Sequence, residues 1–262
     1  MALISVIMSV HNGEKTLKRA IDSILRQTIQ DFEFIICDDA STDNSYKILK
    51  EYEDKDSRFI IIRNETNLGL AASLNKCLEK ASGEYIARMD DDDISLPERF
   101  EKQIDFLAVN NQYAFVSSNS IVFDGNGDIR IGIKPEVPDK NDFIKGSPYL
   151  HPAVMFRRDA ILSIGGYSTK EYTKKRAQDY ELFMRMASRG LNGYNIQQPL
   201  LKYYYSQKVT QRKRSIKSMV DEIKIRYYGY KQLGVKPWQY IFIFIPVYVY
   251  IKHLLISNFS RK

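Results

Sequence analysis

Four consecutive aspartates, Asp90, Asp91, Asp92 and Asp93, lie between an apolar run at 85–89 and a helix start. Carboxylates packed this closely raise one another's pKa unless a cation neutralises them. Mg2+ or Mn2+ is the natural partner: such ions prefer oxygen and are held by one or two carboxylates together with substrate phosphates, which suits a D-x-D spacing. The expected ligand is therefore a diphosphate. The run alone leaves a solvated acidic turn open. No G-x-G-x-x-G follows the first strand and no G-x-x-x-x-G-K-[ST] occurs, so the phosphates must be held mainly through metal. An aspartyl-nucleophile phosphatase also uses D-x-D, but after its first strand, where this chain has His11 and Asn12.

These residues have to be positioned by an alternation of strands and helices. Apolar runs at 4–10, 32–37, 59–62 and 85–89 are separated by helical patterns, the signature of a parallel sheet. Leu17, Ala20, Ile21, Ile24 and Leu25 give the first helix one apolar face, and Leu74 and Leu78 do so in the third. Ser95 and Glu98 around Pro97 predict a capping box for a fourth helix that buries Phe100, Ile104 and Leu107. Short strands at 115–118, 121–123 and 129–133 with a turn at 124–127 predict a hairpin. A strand at 153–156, a Gly165–Gly166 turn and a helix over 179–189 ended by Gly190 complete the body. In open parallel sheets ligands bind outside the carboxyl ends of the strands. Those ends carry His11 and Asn12, Asp38 and Asp39, Asn64 and Asn67, and the aspartate run.

In this order and spacing the motifs resemble inverting nucleotide-sugar glycosyltransferases of family 2, with the GT-A fold. The pieces are ISVIMSVHNGE (4–14), ICDDASTDNS (36–45), NLGLAASLN (67–75), GEYIARMDDDD (83–93), HPAVMFRR (151–158), GGY (165–167) and QDYELFMRMA (178–187), covering roughly residues 3–205. The resemblance implies an α/β fold with a mixed, mostly parallel central sheet flanked by helices. It implies a UDP-sugar donor, with His11 and Asn12 at the nucleobase, Asp39 on the uracil edge, and Asn67, Arg88, Asp90 and Asp91 along the donor. Asp92 is implied as the ligand of a Mn2+ or Mg2+ ion. The family usually has Tyr where this chain has His11, and a Glu-Asp pair where it has Gln178 and Asp179. Asp179 is implied as the catalytic base, since inverting transfer needs one group to take the acceptor hydroxyl's proton. Read without the resemblance, Asp179 is equally an N-cap for a helix beginning at Tyr180. His151, Gly166 and Tyr167 are expected on the acceptor side, a structural His151 being the alternative.

The chain has 262 residues with a net charge of +7, and the charge is unevenly placed. Residues 1–201 hold 26 Lys and Arg against 30 Asp and Glu, a net −4, whereas the last 61 hold 13 against 2, a net +11, with nine of the 18 tyrosines and the one tryptophan, Trp238. Two domains are read: a glycosyltransferase body over 1–205 and a basic, aromatic helical tail over 206–262. Residues 238–251 are uncharged but fall short of the roughly 20 needed to span a bilayer. With Lys236, Lys252 and His253 beside them, and Ile216, Met219, Val220, Ile223 and Tyr227 at helical spacing ahead of them, they predict attachment to an anionic membrane surface. A tail helix packed on the body is the alternative. Cys37 and Cys77 make no disulfide framework, and the apolar start lacks a basic leader and a cleavage site. The expected location is the cytoplasmic face of a bacterial inner membrane, with a glycan or lipid-linked acceptor and no nucleic acid. A nucleic-acid binder using the tail, or a non-catalytic sugar-nucleotide binder, are the rival readings.

Overall fold

The structure, a computed structural model, describes residues 2–174, 176–205 and 215–259. Strands β1 (Ile4–Val10), β2 (Phe32–Asp38), β3 (Phe59–Arg63) and β4 (Tyr85–Arg88) alternate with helices α1 (Leu17–Leu25), α2 (Ser45–Glu53) and α3 (Leu70–Lys80). All four strands are parallel, in the order β3-β2-β1-β4. Both faces of β1 and β2 are covered, which explains their unbroken apolar runs. Val6, Met8, Phe34 and Ile36 face a core shared with Ile21 and Ile24 of α1, whereas Ile7, Ile35 and Cys37 face a second core with Leu74 and Leu78 of α3.

The sheet continues through β8 (Met155–Arg157), β6 (Phe115–Phe123), β9 (Gly193–Tyr204) and β5 (Ile94–Ser95), with β7 (Asp128–Gly132) paired to β6. β6 runs as one strand across the two pieces read in sequence, and the hairpin with β7 forms as expected. The longest strand, β9, was not foreseen. It lies parallel to β6 from Phe115 opposite Gly193 to Phe123 opposite Tyr204. Pro199 sits where the register shifts, the place in a sheet where a residue without an N–H is tolerated. Gly193 permits the contact at the other end, since a Cβ there would stand 2.2 Å from the Phe115 ring.

The capping box is a correction. Helix α4 spans Arg99–Val109 and has no side-chain cap. Ser95 is instead in β5 opposite Leu201, which turns its hydroxyl to accept from Gln27 Nε2 at 3.1 Å. Helices α5 (Lys140–Lys145), α6 (Arg158–Ser163) and α7 (Gln178–Ser188) complete the body.

The basic stretch 206–214 that opens the tail lies outside the described residues. Beyond it α8 (Ile216–Leu233) packs on α7, with Gly229 so close to Met184 that a Cβ would stand 2.3 Å from its Cε. Its buried face carries Asp221, Ile225, Arg226, Tyr230 and Leu233. Arg226 Nη1 and the Tyr230 hydroxyl both donate to the Ile144 carbonyl of α5, each at 3.2 Å. The apolar row read from sequence points the other way, leaving Ile216, Val220 and Tyr227 exposed. A 3-10 segment, Pro237–Phe244, leads into α9 (Ile245–Phe259), where Pro246 occupies the first turn at the change from 3-10 to α helix. No helix among the described residues is long and apolar enough to cross a membrane.

Candidate functional site

The chain leaves β1 toward β2 on one side and returns to β4 on the other, so the strand order reverses between β1 and β4. A ligand crevice opens outside the carboxyl ends of the strands at such a point. His11 and Asn12 leave β1 on one wall of it, and the aspartate run leaves β4 on the other.

On the β1 wall, His11 Nδ1–H donates to the Asp39 carbonyl at 2.8 Å, and its Nε2 accepts from Asn12 Nδ2 at 3.3 Å. One tautomer satisfies both bonds. Asn12 adopts a left-handed backbone (φ 59°), which Asn tolerates better than most residues, and its Oδ1 accepts from Thr42 N at 2.8 Å. Asp39 is buried. Its Oδ1 accepts from Asn64 Nδ2 and Leu68 N, and its Oδ2 from Gly69 N, all at 2.8 Å. The carboxylate thus fixes the loop on which Asn67 stands exposed. Asp38 Oδ2 accepts from Ser41 N at 3.4 Å and so caps the turn after β2. Beside these residues a cleft of about 620 Å³ is lined by Ala40, Ser41, Thr42, Arg63, Asn64 and Glu65.

On the β4 wall, carboxylate oxygens of Asp90, Asp92 and Asp93 lie within 4.8 Å of one another. This all-oxygen donor set fits Mg2+ or Mn2+. The Oδ2 of buried Asp93 has no hydrogen-bond partner, while its Oδ1 accepts from Tyr204 N at 2.7 Å. Burial, then the charges of Asp90 and neighbouring carboxylates, pushes Asp92 up to about 6 and Asp93 well above the carboxylate range. A cation would relieve that repulsion. Asp91 lies outside this cluster: its carboxylate packs against Gly13 beside His11 and Asn12, where a Cβ would lie 2.2 Å from Oδ2. Burial and the charges of Asp92 and Asp90 push it up to about 8. Arg88 is 1% exposed and pairs with Asp90, and its Nε and Nη1 have no partner. Burial opposes its charge, but Asp90 keeps it protonated.

Asp179 sits half-buried in the first turn of α7. The N-cap is Ala177, with φ 54°, and the helix opens at Gln178, so Asp179 is within the helix and does not cap it. Burial raises its pKa, while the Tyr180 N–H, Arg88 and Lys134 favour its charged form. His151 and Tyr167 are both buried and joined at 2.8 Å between His151 Nε2 and the Tyr167 hydroxyl. Tyr167 is clamped through its backbone: its N donates to Asn75 Oδ1 and its carbonyl accepts from Asn75 Nδ2, each at 2.8 Å. Gly166 (φ 67°) has no room for a side chain, a Cβ falling 2.6 Å from Asn75 Oδ1, and its carbonyl accepts from Arg185 at 2.8 Å.

Sequence reasoning missed four residues here. Arg19 of α1 donates to the Asp92 carbonyl at 2.7 Å and lies over the Phe123 and Tyr204 rings. Arg99, fully buried, donates to the Arg88 carbonyl at 2.8 Å, and burial lowers its pKa to about 9. Tyr203 is raised to about 12 by burial and by Asp93, Asp90 and Asp92. Lys134 follows β7 and senses Asp179. Arg19, Arg99 and Lys134 lie in no run of like residues and at no motif spacing, and Tyr203 opens the run 203–205 with no spacing that points to the aspartates. Only the arginine at a helix's apolar edge, Arg99 beside Phe100, carried a readable signal.

The sequence model of the family described as Glycosyl transferase family 2 matches residues 5–165. The chain belongs to this family. Over 261 residues the family 2 chain is 40% identical to EpsE of Bacillus subtilis (strain 168), named as a glycosyltransferase, covering 99% of this chain and 93% of that one. It is 33% identical over 236 residues to the Escherichia coli UDP-Gal:alpha-D-GlcNAc-diphosphoundecaprenol beta-1,3-galactosyltransferase, covering 87% and 83%. The structure of S. aureus TarS 1-349 in complex with UDP-GlcNAc matches with a TM-score of 0.72 at 17% identity, covering 95% of this chain and 72% of that one. Likeness at that identity speaks for the fold, and the fold is GT-A. The transferase activity that the sequence resemblance implied is thereby established at the level of family.

Proposed function

We propose that this glycosyltransferase moves a sugar from a UDP-sugar, with inversion at the anomeric carbon, to a hydroxyl of a lipid-linked glycan acceptor in surface polysaccharide synthesis. The observation that carries this reading is the convergence at the β1/β4 crevice of three carboxylates, a buried arginine and, across Arg88, the half-buried Asp179. The E. coli relative's UDP-Gal donor and diphosphoundecaprenol-linked acceptor support the substrate classes. In this reading His11, Asn12, Asp39 and Asn67 border the nucleobase cleft, and Arg88 with Asp90 borders the diphosphate. Asp92 and its neighbours Asp90 and Asp93 would hold Mn2+ or Mg2+, which when bound stabilises the charge of the departing diphosphate. Asp179 takes the acceptor hydroxyl's proton as that oxygen attacks the anomeric carbon, and a single base suffices. The tail brings the enzyme to the cytoplasmic face of the membrane, Trp238, Ile241, Phe242 and Phe244 being exposed on its 3-10 segment.

Calorimetric titration with UDP, with Mn2+ and with EDTA, tests the donor site. Binding that needs both the metal and an intact Asp92, with Asp92→Asn as comparison, is the expected result. Absence of binding by folded protein would overturn the reading.

A further inference from the structure

Arg19 stands where three parts of the fold meet at the aspartate run. It is a half-buried residue of α1, and its Nη2 donates to the Asp92 carbonyl at 2.7 Å. The same guanidinium lies 4.9 Å from the centroid of the Phe123 ring at the end of β6 and 5.3 Å from that of Tyr204 at the end of β9. Those two rings are 5.4 Å apart, so the cation rests on an aromatic pair that attracts it. Tyr204 also acts through its backbone, since its N donates to Asp93 Oδ1 at 2.7 Å. Arg19 and Tyr204 therefore hold Asp92 by its main chain and Asp93 by its carboxylate. A guanidinium among four aspartates would ordinarily neutralise one of them, as Arg88 does with Asp90. Among the described residues Arg19 forms no such pair and spends its bond on a main-chain oxygen, which takes from Asp92 none of the charge a metal would use. Carboxylate oxygens of Asp90, Asp92 and Asp93 nevertheless lie within 4.8 Å of one another. Their repulsion would spread a loop held only at its ends.

We infer that Arg19 is a positioning residue of the metal centre: anchored on the Phe123 and Tyr204 rings, it fixes the Asp92 main chain so that the carboxylates of Asp90, Asp92 and Asp93 stand assembled for a divalent cation before the cation arrives. The inference rests on the proposed function, which makes Asp92 a metal ligand, and adds the residue that sets that ligand's place. Charge and position predict opposite signs here. By charge alone a guanidinium this close repels a divalent ion, and its removal would tighten binding. By position its removal loosens binding, as loss of a group that orients a metal ligand does.

The test titrates Mn2+ into the full chain without nucleotide and reads the free ion by electron paramagnetic resonance. Arg19→Met is expected to raise the Mn2+ dissociation constant at least tenfold. Arg19→Lys, which keeps the charge and a donor for the carbonyl, should stay within about threefold of the wild type. Leu49→Ala, a truncation in the core under α2, controls for lost stability and should leave Mn2+ affinity unchanged. Unchanged or tighter Mn2+ binding by Arg19→Met overturns the inference, as does a loss in Arg19→Lys as large as in Arg19→Met, or an equal loss in Leu49→Ala. Calorimetry with UDP adds a second arm: excess Mn2+ should restore UDP binding to Arg19→Met, and failure to restore it would make Arg19 a nucleotide ligand and overturn the positioning role. Should Arg19→Met not fold, Phe123→Leu decides, because it removes one ring and leaves the arginine; weaker Mn2+ binding supports the inference and unchanged binding overturns it. A wild type that binds no Mn2+ would strike the metal from the proposed function itself, and the inference with it.

Discussion

Asp179, in the first turn of α7, and Asp92, just after β4, are assigned different tasks in the proposed reaction, and their replacement should separate chemistry from binding. Asp179→Asn keeps the volume and removes the proposed base, so kcat is expected to fall about 10²–10⁴-fold with UDP affinity unchanged, read by steady-state kinetics beside calorimetry. Asp92→Asn should instead lose metal-dependent UDP binding. His151 offers a pH prediction of defined sign. It is buried and held neutral, its pKa well below 6.5 through burial and then the charge of Arg88. Below pH 6.5 the unfolded chain takes up a proton there that the native state refuses, so this contribution to stability is lost as pH falls, by up to about 1.4 kcal/mol per pH unit until the native pKa is reached. The difference in unfolding free energy between wild type and His151→Asn, measured in urea from pH 7 to 5, should shrink on acidification. At this scale the sequence displayed the aspartates, Asp39 and Asp179 through residue type and motif order. It did not display Arg19, whose partner Asp92 is distant in sequence, nor that Asp91 turns away to Gly13.

Among the elements, those made by local pattern were legible and those made by distant pairing were not. Strands β1 to β4 and helices α1 and α3 follow from periodicity because both faces of the parallel sheet are buried. β9 contains Asn195, Gln197, Gln198 and Pro199 and reads as a loop, because its pairing with β6 is what makes it a strand. The same cause undid the capping box, since Ser95 is taken by β9. Two glycines make the packing testable. Gly193→Ala would drive a methyl into the Phe115 ring, which is wedged between Tyr149 and Phe183, and should cost about 1–3 kcal/mol. Gly229→Ala meets the flexible end of Met184, which can swing aside, so its cost should be the smaller of the two. Chemical denaturation of both variants checks the order.

For the molecule as a whole, the uneven charge read from sequence now has a shape: α8 is fastened to the body, and the tail's outward apolar groups lie on its far face, on the 3-10 segment and on α9. Removing the tail would uncover Met184 and strip Ile144 of its donors, so truncation is a poor probe of membrane attachment. Trp238→Glu with Ile241→Glu alters only exposed positions, 64% and 68% accessible, and should leave the fold intact. Sedimentation with phosphatidylglycerol vesicles is expected to fall at least tenfold in this variant and to weaken with salt in the wild type. Undiminished sedimentation would remove the membrane from the reading.

The bond from Tyr204 N to Asp93 also governs when the enzyme comes into being. Every residue expected at the donor is translated by position 93, yet the innermost aspartate is anchored only by an amide that leaves the ribosome 111 residues later. The strand that carries it, β9, must arrive before Asp93 gains this partner. In a chain halted midway through synthesis Asp39 already has Asn64, Leu68 and Gly69 as partners, whereas the Asp93 carboxylate still lacks its own.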